Sequence, residues 1–143
     1  MGKLKYYTLG IGCLFVILSS CSLNRSSGEE VCGDFAIEDE SNYSSTTSSN
    51  YTIKDVVVVA NCLTITVAAS GCNGDMWEST LYLSEQTLQT VPIQRFSKLS
   101  LVTNEACLAV FDKSFSFDIS NIRPENESFI LTLEAWDHQI VIN

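Results

Sequence analysis

The most reactive groups in this 143-residue chain are its six cysteines: Cys13, Cys21, Cys32, Cys62, Cys72 and Cys107. A thiol can accept a lipid, hold a metal, attack a carbonyl or pair into a disulfide. No two of them form a C-x2-C pair, which argues against a zinc site. The chain has one histidine, His138, in Ala135-Trp136-Asp137-His138-Gln139. Asp137 beside it invites a catalytic dyad, but consecutive residues of a strand or turn point apart, so His138 reads as a surface residue. Asp75 and Glu78 flank the Asn73-Gly74 turn, and Glu38-Asp39-Glu40 is an acidic run. Neither has the alternating carboxylates of a calcium loop, and both read as solvated charge. Trp77 and Trp136 could stack a sugar ring, although tryptophan in a small sandwich more often fills the core. No G-x-S-x-G, phosphate-binding loop or dinucleotide fingerprint occurs. The expectation is no catalytic residue, no metal and no cofactor.

The elements that carry these residues begin with an export segment. Lys3 and Lys5 precede an apolar stretch from Leu9 to Leu18. As a helix, those ten residues would cover only about half of a ~30 Å hydrocarbon core, too little for a stable span. The stretch ends in Leu18-Ser19-Ser20-Cys21. This resembles the lipobox of bacterial lipoproteins, an aliphatic residue and two small ones before a cysteine. The resemblance implies cleavage after residue 20 and acylation of Cys21, giving a membrane partner through the lipid. It also implies a place in the bacterial cell envelope, with the outer membrane expected.

From Ser22 to Tyr51 the composition shifts to eight Ser, two Thr and six acids against one base, Arg25. So little apolar surface does not offset the entropy of ordering, and residues 21–51 read as a tether. Within it Val31–Ile37 carries apolar residues and Cys32, enough to dock on a domain. Sequons at Asn24, Asn42, Asn50 and Asn126 follow from the Ser- and Asn-rich composition in a bacterial chain.

From residue 52 to 143 the pattern has period two. Leu63, Ile65 and Val67 share one face, as do Phe115, Phe117 and Ile119, and Phe129, Leu131 and Leu133. The run Val56–Val59 suggests a strand buried on both faces. Strands are also read over Trp77–Leu83, Ser97–Val102, Cys107–Asp112 and Gln139–Ile142, with Gln89–Arg95 as a crossing loop or edge. Seven or eight short strands predict an all-β fold, an antiparallel β-sandwich of immunoglobulin-like type, with a small closed β-barrel as the alternative.

Four cysteines follow Cys21, and an even count in an exported chain implies two disulfides. Cys62 and Cys72 flank one strand and stand roughly 30 Å apart when extended, too far to bridge. Cys62 points away from the Leu63 face, well placed to catch Cys32. The expected pairs are Cys32–Cys62 and Cys72–Cys107.

Ser70-Gly71-Cys72, Val91-Pro92-Ile93-Gln94, Glu105-Ala106-Cys107-Leu108-Ala109 and Ser116-Phe117-Asp118-Ile119-Ser120 occur in the order seen in a group of small Bacteroidetes lipoproteins. The chain is similar to that group from Leu63 to its C-terminus, with a single Gly before Cys72 and Val-Pro-Ile-Gln for Pro-Pro-Gln. The resemblance implies an exported β-domain, supports the Cys72–Cys107 pair and implies no catalytic residue. A formal net charge of −9 argues against nucleic acid. The functional expectation is a membrane-anchored, non-enzymatic binding or structural module with a protein or glycan partner. The alternatives are a carbohydrate-binding module using Trp77 or Trp136, and a small envelope hydrolase or inhibitor.

Overall fold

The computed structural model describes residues 32–123 and 127–143. The lipobox and Cys21 lie outside the described residues. Strands β1 (Asp34–Phe35) and β2 (Ile37–Glu38) lead into helix α1 (Glu40–Ser45). There follow β3 (Tyr51–Val59), β4 (Cys62–Gly71), β5 (Trp77–Leu88), β6 (Ile93–Thr103), β7 (Ala109–Asp118), a 3₁₀ turn (Ser120–Ile122), β8 (Phe129–Leu133) and β9 (Ile140–Ile142). They form two sheets, in the orders β1-β7-β4-β3 and β2-β5-β6-β8-β9.

The alternation read from the sequence builds the core between them. Leu63, Ile65, Val67 and Phe117 from one sheet meet Leu81, Leu83, Leu99, Phe129 and Leu131 from the other in a single buried cluster. Burying each such side chain contributes about 1.5–3 kcal/mol, and this apolar seam holds the layers together. The fold is an all-β sandwich. Among the described residues the two sheets stay separate, so no barrel closes.

Several elements differ from expectation. The sheets are mixed: β1 with β7, β2 with β5 and β6 with β8 are parallel, a departure from a purely antiparallel immunoglobulin-like arrangement. The valine run is not buried on both faces. β3 is a sheet edge whose Val56 and Val58 turn toward the core while Val57 and Val59 are exposed. A bulge between Ile53 and Asp55 sets that phase. β5 and β6 reach farther than expected, leaving only residues 89–92 as the connecting loop, and the two strands read across residues 107–119 are one strand, β7.

The stretch from Cys32 onward, read as part of the tether, is built into the sandwich. Ala36 is buried where the chain crosses from one sheet to the other. Its N–H donates to the Asp118 carbonyl at 3.0 Å, and its carbonyl accepts from Asn121 Nδ2 at 2.8 Å. The Ser-rich helix that follows is held by its surroundings rather than its composition. Asp39 caps it by accepting from the Asn42 N–H at 2.9 Å. Glu40 accepts from Ser84 Oγ at 2.6 Å and the Glu85 N–H at 3.0 Å, at the bulge of β5. Lys98 Nζ lies 4.8 Å over the Tyr43 ring and 3.0 Å from Glu134.

Candidate functional site

Both expected disulfides are present, Cys32–Cys62 with Cα atoms 5.5 Å apart and Cys72–Cys107 with 4.8 Å. The second joins two loops at one end of the sandwich and creates its most organised polar feature. Asn73-Gly74 forms a tight turn in which Gly74 adopts φ 75°, a conformation glycine takes without steric cost. Asn73 Oδ1 accepts from the Asp75 N–H at 3.1 Å, and the Trp77 N–H returns to the Gly74 carbonyl at 3.2 Å. Lys113 Nζ donates to that same carbonyl.

This turn aims a row of backbone N–H groups inward, a concavity that suits an anion. Glu105 fills it from the opposite loop. Its Oε2 accepts from the N–H groups of Cys72, Asn73 (3.2 Å) and Gly74 (3.1 Å), and its Oε1 from Met76 (3.4 Å). Desolvation pushes the carboxyl up, but the four backbone donors together outweigh it and hold Glu105 below the usual glutamate range. Gly71 makes the approach possible. A Cβ there would lie 2.4 Å from Glu105 Oε2 and 2.7 Å from Trp77 Nε1. That indole nitrogen is buried and has no hydrogen-bond partner among the described residues.

Beside the Glu105 clamp runs an open groove of about 630 Å³, lined by residues 49–52, 68–70, 103, 105–108 and 110. Ser49, Thr52, Ser70 and Thr103 supply hydroxyls, and Ala106, Leu108 and Val110 supply apolar surface. Leu108 and Val110 are strongly exposed. Glu105 is the one charged side chain in the lining, and its anionic carboxylate is turned onto the loop amides, so the rest of the groove carries no charged side chain on a chain of net charge −9. Such a lining fits a neutral ligand or polypeptide segment with both apolar and hydrogen-bonding groups.

The residues singled out in the sequence are dispersed. Trp77 lies in the core at 4 % exposure and cannot stack a ligand, so the platform reading fails for it and the core-filling reading holds. Its alternate-residue position on β5 faces the other sheet. Trp136 is half-buried against the core, with His138 edge-on at 5.2 Å. Asp75 is bonded to Asn73 Nδ2. Among the described residues no three His, Cys, Asp or Glu side chains gather as a metal site. Glu105 is visible in the sequence only as part of the Glu105-Ala106-Cys107 stretch. Its signal is an acid two residues from a cysteine whose bridge partner begins a Gly-containing turn.

No protein-family model matches the chain, and no curated protein matches it. Among solved structures, the chain is similar to a protein of unknown function, DUF1344, from Bacteroides vulgatus ATCC 8482. The TM-score is 0.51 at 15% identity, over 76% of this chain and 54% of that one. The chain thus spans about half the length of that structure, and the likeness is one of fold.

Proposed function

We propose that this is a bacterial envelope lipoprotein, anchored through acyl chains on Cys21, whose sandwich acts as a non-enzymatic binding module with the groove beside Glu105 as its binding face. The observation that supports it most is a count of thiols. Cys32, Cys62, Cys72 and Cys107 are bridged to one another, so none of them is left to pair with Cys21. With Cys13 removed along with the export segment, Cys21 is left over and needs another fate, and its place at the end of Leu18-Ser19-Ser20 suits lipid attachment. Several acyl chains hold a protein on a bilayer, each buried methylene contributing about 0.8 kcal/mol.

Labelling cells with radioactive palmitate tests the anchor. The wild-type chain takes up label and Cys21→Ala does not. An unlabelled wild type, or label that survives the substitution, overturns the proposal. Binding is tested with the purified domain against envelope proteins and neutral glycans, where Leu108→Asp removes capture by placing a charge on the groove.

A further inference from the structure

We infer that the anchored domain has a polarity: the end that carries the Cys32–Cys62 bridge faces the bilayer and the groove end faces away from it. This rests on the lipid anchor at Cys21.

The bridge ties Cys32 to the first residue of β4, with Cα atoms 5.5 Å apart. β4 ends at Gly71, beside the groove. Ten residues of strand at about 3.3 Å per step separate the two ends by roughly 30 Å.

The register extends this axis to the whole sandwich. Cys62 lies opposite Val59 and Asp118, and Gly71 opposite Ala109. β1 runs parallel to β7, and β2, continuing it past Ala36, runs parallel to β5. β5 and β7 therefore head the same way, and β5 delivers loop 89–92 to the bridge end. Arg95, just beyond that loop, donates to the Ile122 carbonyl at 2.9 Å, joining it to the 3₁₀ turn after Asp118. Turn 72–76 and loop 104–108 share the opposite end.

The span from Cys21 to Cys32 is eleven residue steps, a reach of at most about 35–40 Å fully extended. With the bridge end toward the bilayer, the exit point sits close to the lipid and that reach is ample. Turning the groove end toward the bilayer lifts the exit point by the ~30 Å length of β4, which takes up most of the reach. The bridge and β1 both hold the exit at this end: Cys32 is tied to Cys62, and two residues on, Asp34 pairs with Phe117, next to the Asp118 that lies opposite Cys62.

The test uses the full lipidated chain in phosphatidylcholine vesicles doped with an acceptor-labelled lipid. Apart from acylated Cys21, every mature cysteine is bridged, so one introduced thiol can carry a donor dye. Val91→Cys labels the bridge end, where Val91 is fully exposed in loop 89–92; Val102→Cys labels the groove end, where Val102 pairs with Glu78. Energy transfer to the lipid is expected to be severalfold greater from position 91. Equal or reversed transfer from chain that floats with the vesicles overturns the polarity. Chain that fails to float overturns the anchor itself and the polarity with it.

Discussion

Glu105 and Gly71 form a pair in which one residue supplies charge and the other supplies space. The Glu105 carboxylate gathers four backbone N–H groups that would otherwise compete for water. Because its folded pKa is depressed, its contribution is fully present above the pKa it has in the unfolded chain, and is lost as pH falls through the folded value. Asp39, Glu40 and Asp118 are shifted in the same direction by their own hydrogen bonds, led by the Asn42 N–H, Ser84 Oγ and the Ser120 side chain. Glu105→Gln is therefore expected to melt below wild type at pH 7, with the gap closing as pH drops below the glutamate range. A gap that stays constant from neutral to acid pH, measured by thermal melts, removes the charge from the explanation. Gly71→Ala drives a methyl into both the carboxylate and the Trp77 indole. Overpacking of this kind costs about 1–3 kcal/mol, and urea denaturation of the variant checks it.

The elements that surround this pair are fixed by two staples and by local hydrogen bonding. The Cys72–Cys107 bridge spans 35 residues, and in the chain-entropy model a loop of that length stabilises by roughly 3–4 kcal/mol. The Cys72→Ser, Cys107→Ser double variant is expected to lose about that much in guanidinium unfolding, with fast backbone amide exchange appearing at Cys72, Asn73, Gly74 and Met76. Protection retained at those four amides would mean that the carboxylate clamp holds the loops without the bridge. α1 shows the opposite economy. Six residues with two serines at its end make a poor helix in isolation. It persists because Asp39 caps it, Glu40 fills the β5 bulge and Lys98 packs over Tyr43. Composition marked this stretch as a tether for a sound reason: the groups that order it stand some 40 to 90 residues away in the chain, on β5, β6 and the turn after β8.

At the scale of the whole molecule, the sandwich carries a bridge at one end of β4 and a groove at the other, and the vesicle experiment reads that polarity directly. How much of it the sequence contains follows from the range of each signal. The inward faces of β4, β7 and β8 were legible because a strand's period of two is written in neighbouring residues, Leu63-Ile65-Val67 and Phe129-Leu131-Leu133 among them. The disulfide pairs were legible because strand length forbade Cys62–Cys72 and parity turned Cys62 outward. The edge position of β3 was not, since four valines look alike on an edge and in a centre until the partner strands are known. Nor was the Glu105 clamp, whose donors lie 29 to 33 residues away and meet the carboxylate only after β5, β6 and β7 have brought the two loops together. Local alternation and the cysteine arithmetic thus decided the layers and the covalent frame from the amino-acid order alone. The mixed strand order, the groove beside Glu105 and the buried fate of Trp77 were decided by tertiary packing, because each depends on which distant segments become neighbours.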